Sequence, residues 1–469
     1  MSSTLGVTLS EEQQNAVSAV AEWYDRIKDY TRHDFKDPTM ELESFQYFRL
    51  SGPAGSGKST VIKRLLATLG LTNSHTLLAP TGKAAAVLID KGNFNACTIH
   101  SKIYLTLDNL DETREELSKL MVTASNEGRS DDMEEYRIQI FELDKAAKDA
   151  GKTNELSFTI NPASDITTSE LVVVDESSMV DGKVMGDLLS FGVPVLFVGD
   201  EHQLPPINSR EDSVFYDKQG HVITPDFSLT EVHRQAADSP IIKLATALRE
   251  TGVFTFVGSD VVERNGRKEG VTRRLFSSVE TLPALWLNAN QIICAKNDTR
   301  HRINAMIRYF RYGDVAFTHV PQVGDKLIIT ANNKDFGVVN GDQGEIVKIY
   351  NYNELGQFKL QCDIELQNGR TFCSVTLCVA GMTNPGDKNL LASLPSTYRK
   401  TMIMVDYGYA ITGHKAQGSQ YPRGIVINDV FGNAVERRRW MYTAITRFET
   451  GIVIVDLSPD GMPTYYMHQ

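Results

Sequence analysis

Residues 52–59 read Gly-Pro-Ala-Gly-Ser-Gly-Lys-Ser, a run in which two glycines five apart are followed at once by a lysine and a hydroxyl. That spacing suits the binding of a polyphosphate. Glycines let successive backbone N–H groups turn inward around phosphate oxygens, and a helix N-terminus behind them adds positive potential. Lys58 would neutralise the outer phosphates and Ser59 would ligate Mg2+. A second stretch, Glu-Leu-Val-Val-Val-Asp-Glu over 170–176, ends in adjacent carboxylates. Asp175 would hold the Mg2+, through water, while Glu176 orients or deprotonates the attacking water. The plainer alternatives are a glycine-rich turn at the first stretch and an acidic helix cap at the second.

These groups need a scaffold that brings them to one edge. Alternating aromatic and apolar residues up to Leu50 predict a strand, and "TVIKRLLATL" (60–69) has helical spacing. The unbroken "LVVV" at 171–174 suits a parallel strand buried on both faces. Strand, phosphate loop, helix and acidic strand together predict an α/β fold with nucleotide at the strand ends. A third apolar run, "VLFVG" (195–199), leads into "DEHQLPPI". The paired prolines fix φ and remove two backbone donors, so this loop is stiff.

No apolar run is long enough to span a bilayer, and the first residues lack a basic start and apolar core, so neither a membrane partner nor a secretion signal is expected. The five cysteines form no CxxC pair and point to reduced thiols in a cytoplasmic compartment. The formal net charge is −11, but the stretch from Asp108 to Glu155 alone carries −7, from fourteen acidic and seven basic residues. Basic clusters at 296–311 and 437–447 therefore leave nucleic acid open as a partner.

Further motifs narrow the class. "LLAPTGKAAAVL" (77–88), "CTIHS" (97–101), "GDEHQLPPI", "LTEVHRQ" (229–235), "YAITGHKAQGSQ" (409–420) and "YTAITRF" (442–448) accompany the two stretches above, the first two lying between them and the rest beyond. Together they resemble the RecD-like branch of superfamily 1 DNA helicases, with a layout nearest to that branch's small phage helicase. The resemblance runs from about residue 9 to 448 and implies two RecA-like P-loop motor domains bracketing one ATP. It implies an ATP- and Mg2+-dependent helicase moving 5′→3′ on single-stranded DNA, in replication, recombination or repair. A nucleic-acid switch that does not unwind, and an RNA-directed relative, are the competing readings.

Resemblance also distributes roles. Lys58, Glu176, Gln203, Arg234 and Arg447 would serve catalysis, with Gln203 reaching the γ-phosphate and the two arginines clamping the transferring phosphoryl group. ATP would lie on Gly52, Pro53, Ala54, Gly55, Ser56, Gly57, Lys58, Ser59 and Thr60, bordered by Gly418 and Ser419. Gln13 in "LSEEQQNAV" would read the adenine edge, with Gln14 as the alternative reader. The DNA strand would meet Pro80, Thr81, Lys83, Thr98 and His100 in the first motor and Thr412, His414 and Lys415 in the second. Asn297 and Arg300 match family positions near the domain cleft, with Asn297 as a DNA contact, although the surrounding arginines could equally form a solvated face.

The domain map follows from the interruptions. Residues 1–101 and 165–234 form the first motor, and 235–320 with 401–469 the second. Residues 102–164 form a β-hairpin pin whose tip, about 110–150, is enlarged into a helical hairpin with Leu117, Leu120 and Met121 on one face and Met133, Tyr136, Ile140 and Leu143 on the other. This acidic arm is either a solvated spacer or a protein-docking site. Residues 321–400, with Asn-Gly turns at 340–341 and 368–369, resemble the family's SH3-like β-barrel insertion. The expected partners are single-stranded DNA and single–double-strand junctions, bound by a monomer.

Overall fold

Four or five consecutive apolar residues cannot face water on either side, so strands of that kind collect at the centre of a sheet. The computed structural model describes residues 8–30, 34, 45–93, 95–105, 107–150, 159–206, 212–232, 238–264, 267–278, 281–318, 320–353, 358–385, 387, 390, 398 and 401–457. The chain divides into two compact units, the first from residues 1–81, 88–201 and 205–231 and the second from 82–87, 202–204 and 232–469.

In the first unit the strands are β1 (Tyr47–Ser51), β2 (His75–Ala79), β3 (Cys97–Thr98), β6 (Leu171–Val174), β7 (Val195–Gly199) and β8 (Phe227–Ser228), in the order β3-β2-β6-β7-β1-β8 and all parallel. Every residue of β6 and β7 is buried. Fully burying a Val, Leu or Phe side chain contributes roughly 1.5–3 kcal/mol, so these two strands anchor the unit. Helix α1 (Glu11–Ile27) lays Ala16, Val17, Val20, Trp23, Tyr24 and Ile27 inward, and α2 (Lys58–Thr68) buries Val61, Ile62, Leu65 and Leu66. A further helix, α3 (Gly82–Asp90), follows β2, its residues 82–87 belonging to the second unit.

The segment after β3 carries β4 (Tyr104–Leu105), which pairs antiparallel with β5 (Thr159–Ile160), and between them α4 (Leu107–Asn126) and α5 (Ser130–Ala150). Leu105, Leu117 and Leu143 are buried together, with Tyr136 and Ile140 against them. Leu120 departs from the face expected of it and stays 41% exposed, while Ala124, four residues on, is fully buried.

The second unit holds a six-stranded sheet in the order β17-β11-β18-β19-β10-β9, built from β9 (Ser259–Arg264), β10 (Arg267–Leu275), β11 (Gln291–Cys294), β17 (Ala410–Thr412), β18 (Tyr421–Asn428) and β19 (Phe448–Asp456). Its neighbours are parallel except β9 and β10. Strands β12 (Lys326–Ile329), β13 (Gln343–Asn353), β14 (Lys359–Leu366), β15 (Thr371–Cys378) and β16 (Ile403–Tyr407) close a barrel. The closing strand lies beyond residue 400, where the sequence reading ended the insertion. It pairs with both β12 and β15, and a barrel edge left open there would leave backbone donors of both unpaired.

Helix α6 (Asn297–Tyr312) joins sheet and barrel within this unit. Arg300 bonds Asp406 at 2.6 Å. Arg308 is 1% exposed, lies 3.2 Å from the wholly buried Asp325, and donates to the carbonyls of Ala316 and Val320. Both arginines are thus buried structural ties, neither a solvated face nor groups available to a DNA phosphate.

Candidate active site

The phosphate loop begins where β1 ends. The Gly52 N–H donates to the Gly199 carbonyl at 3.1 Å, extending the β1–β7 pairing by one residue. A Cβ at Gly52 would lie 2.6 Å from Ser56 Oγ and 2.9 Å from Leu229 Cβ, so only glycine fits. Gly55 and Gly57 sit at φ 86° and 83°, the left-handed region that turns their amides inward. The Ser56 hydroxyl donates to the Pro53 carbonyl at 2.9 Å and braces the loop from within. The Lys58 ammonium bends back onto the carbonyls of Gly52 and Pro53, at 2.5 and 3.1 Å. Ser59 and Thr60 follow in the first turn of α2.

Sheet order decides what faces this loop. β7 lies between β1 and β6, with Ser51 level with Gly199 and Val174 level with Phe197. Asp175 and Glu176 therefore leave the same edge as the loop, two strand spacings away, about 10 Å. Burial, and next the Glu176 charge, push the Asp175 carboxyl up to about 6, with Lys58 pulling the other way. A half-buried hard carboxylate, the Ser59 hydroxyl and a phosphate loop are a donor set that suits Mg2+, which takes few protein ligands and completes its shell with water and phosphate. Glu176 has φ 53°, a left-handed conformation unfavourable for a residue with a side chain. Such strain at a carboxylate is a mark of functional sites.

Gln203 is 3% exposed, three residues beyond the wholly buried Asp200. Its neighbour Leu204 is fixed at both backbone groups: the N–H donates to Thr443 Oγ1 at 2.9 Å, and the carbonyl accepts from Gln417 Nε2 at 3.2 Å. Thr443 lies in α7 (Ala434–Ile445), and its carbonyl accepts from Arg447 Nε at 3.1 Å. Within the second unit, then, one threonine links the Gln203 segment to Arg447. Arg234 lies outside the described residues, as does His233.

Gln13 ties the first helix to the phosphate loop. It completes a capping box at the start of α1, its Oε1 accepting from the Ser10 N–H at 3.1 Å, while its Nε2 donates to the Ser56 carbonyl at 3.0 Å. The side chain is 2% exposed and bridges helix and phosphate loop. Gln14 is exposed, with its amide on the Leu9 carbonyl.

The residues expected at DNA are spread along strand ends. Pro80 and Thr81 follow β2. Thr98 caps the helix Ile99–Ile103 through the Ser101 N–H, and the His100 ring lies 5.2 Å from that of Tyr104, tilted by 47°. In the second unit Thr412 ends β17, with His414 and Lys415 in the short helix Gly413–Ala416; burial lowers the proton affinity of both. Lys83 stands 3.5 Å from the Gly341 carbonyl and 5.4 Å from the Tyr421 ring, and burial brings its amine down to about 8 against the pull of Asp342. Gly418, at φ 72°, lies against Ala84. Asn297 is exposed at the first turn of α6 and accepts from Arg300 Nε at 3.3 Å.

Comparison with known proteins agrees with this architecture. An AAA domain family matches residues 41–267, and a UvrD-like helicase C-terminal domain matches 407–455. The ATP-dependent RecD2 DNA helicase of Deinococcus radiodurans is 24% identical over 420 residues, 87% of this chain and 46% of that protein. The chain resembles the RecD-like branch of superfamily 1 helicases. An uncharacterized protein of Methanocaldococcus jannaschii is 35% identical over 179 residues, 36% of this chain and 12% of its own length, so the RecD-like chain spans less than half of either relative. A Pif1 helicase structure, described as two coordinating helicases unwinding forked double-stranded DNA, shares the fold at TM-score 0.50 and 18% identity, covering 96% of this chain and 92% of that one.

Motif reading passed over three residues that this RecD-like chain uses to hold its site. Thr443 and Gln417 fix the segment after Gln203, and Glu12 reaches the backbone of Thr230 and Glu231. All three sit inside quoted motifs, but nothing local marks them, because their partners are 239, 213 and about 218 residues away in sequence.

Proposed function

We propose that this chain is an ATP-driven motor that moves 5′→3′ on single-stranded DNA and unwinds duplex ahead of it. The observation that carries the reading is the placing of Lys58, Asp175–Glu176 and the start of the Gln203 loop at the ends of three adjacent parallel strands. Lys58 and the loop amides would bind the β- and γ-phosphates, and Asp175 with Ser59 would hold Mg2+, which neutralises charge on the phosphates. Glu176 would orient the attacking water and take its proton. Gln203 would contact the γ-phosphate, and Arg234 and Arg447 would stabilise charge on the transferring group. Pro80, Thr81, Lys83, Thr98, His100, Asn297, Thr412, His414 and Lys415 would track the DNA backbone.

Relatives named for DNA unwinding support this reading over an RNA-directed one. The test is strand separation on duplexes bearing a 5′ or a 3′ single-stranded tail, with ATPase measured beside it. Unwinding of the 5′-tailed substrate alone supports the proposal. Unwinding of the 3′-tailed one alone refutes the direction, and DNA-stimulated hydrolysis with no strand separation leaves a translocase or switch. The acidic arm of α4 and α5 repels DNA, and we assign it to a protein partner, with Ile138 and Phe141 exposed at 50% and 69% among its acids. Deleting the arm should spare DNA-stimulated ATPase.

A further inference from the structure

The helix that carries His100 is only five residues long, Ile99–Ile103, and a helix of that length has too few internal bonds to hold its own shape in water. Its position is set from outside. Thr98 caps its start, Ser164 Oγ donates to the Lys102 carbonyl at 2.7 Å, and the Lys102 ammonium pairs with Asp165 at 2.7 Å. Those ties fix the backbone. They leave the direction of the exposed His100 side chain to its neighbours.

Residues four apart on a helix face one another, and the residue four on from His100 is Tyr104, whose ring lies 5.2 Å from the imidazole. Tyr104 is 8% exposed and is held at its far end. Its phenol donates to Asp187 Oδ2 at 2.5 Å, and the same oxygen accepts from Lys183 Nζ at 2.7 Å. The Lys183 ammonium also stands 5.4 Å from the centre of the Tyr104 ring. A buried phenol needs one partner, and a backbone carbonyl or a water ordinarily suffices. A carboxylate makes a shorter and stronger bond, which aims the ring more narrowly. Asp187 and Lys183 both lie on the helix Gly182–Leu189. Asp181 caps that helix at the Val184 N–H, and Val184 and Leu188 are buried, so the ring is tied to a fixed post.

We propose that Tyr104 is a positioning residue for DNA binding, holding the His100 imidazole in the orientation that meets the strand; this rests on the DNA contact proposed for His100 above. Tyr104 is also the first residue of β4, so the support for the histidine is built at the root of the acidic arm. In a helix a histidine has about two open χ1 wells and about two χ2 orientations, so an unsupported ring spends about a quarter to a half of its time as it is held here. The affinity for DNA falls with that fraction, about two- to fourfold.

The experiment is a double-mutant cycle of Tyr104→Leu and His100→Ala in the full chain, read by fluorescence anisotropy of a labelled oligothymidine and by DNA-stimulated ATP turnover. Leucine keeps the apolar packing and leaves Asp187 paired with Lys183. Tyr104→Leu should weaken oligothymidine binding about two- to fourfold and raise the half-saturating DNA concentration of the ATPase by the same factor. Turnover at saturating DNA should stay at the parent's value, and the substitution should cause no further loss of binding in the His100→Ala background. Tyr104→Phe, which removes only the hydroxyl, should show the same pattern with a smaller loss. Equal fractional losses in both backgrounds, or a loss of turnover at saturating DNA, would mean a general structural effect and overturn the proposal. Parent-like binding by Tyr104→Leu beside weakened binding by His100→Ala would overturn the proposal and leave the histidine's role intact. Parent-like binding by His100→Ala would overturn both.

Discussion

Asp175→Asn separates the cost of building this site from its use. Burial and the neighbouring Glu176 raise the Asp175 carboxyl from 3.8 to about 6. The folded protein therefore holds that proton more tightly than the unfolded chain does, and the penalty appears as pH rises from about 4 through 6. At neutral pH the full cost would be about 3 kcal/mol; the side chain is partly exposed, and solvent screening reduces this to roughly 1–3 kcal/mol. Asparagine keeps an oxygen to accept the Glu176 N–H, bonded here at 2.9 Å, but carries no charge. In Mg2+-free buffer at pH 7.5 the variant should melt about 2–10 °C higher than the parent in calorimetry. The difference should shrink towards zero by pH 4. Adding Mg2+ and ATP should stabilise the parent and have much less effect on the variant. A variant less stable than the parent at pH 7.5, or a difference that does not change with pH, would refute the argument that a buried charge is the cost being removed.

Gln203→Ala should leave nucleotide binding largely intact while slowing hydrolysis and unwinding; equal rates of both in mutant and parent would sink the role given to Gln203. Lys83 should gain a proton when a phosphate meets it, so the affinity for single-stranded DNA should fall as pH rises above about 8, and Lys83→Arg should abolish that trend in fluorescence anisotropy. Arg308→Ala leaves Asp325 buried without its partner and should cost about 3–5 kcal/mol in denaturant unfolding, whereas replacing both by apolar residues of similar volume should be nearly neutral.

The nucleotide half of the site was legible because its chemistry is local. A phosphate loop is a turn made by contiguous residues, and the conformations of Gly55 and Gly57 follow from their being glycine. The apolar runs of β6 and β7 could only be central strands. Roles that depend on distant partners were another matter. Gln13 has the amide that base reading requires, and its bonds to Ser10 and Ser56 emerge only in the fold. Arg300 and Arg308 sit in a basic helical stretch that reads as surface, yet Asp406 and Asp325 draw them into the interior.

The sequence by itself therefore determined which chemistry this chain could support: a phosphate cradle, a paired carboxylate on a buried strand, and a stiff glutamine-bearing loop after another. Each follows from φ restriction and apolar patterning within a dozen residues. Tertiary structure alone decided that β7 comes between the other two strands, that the barrel closes with residues 403–407, and that Glu12, Gln417 and Thr443 hold the backbone of segments more than 200 residues away. Those outcomes depend on which surfaces meet when the chain packs, and a hydrogen-bonding side chain carries no local mark of the partner it will find.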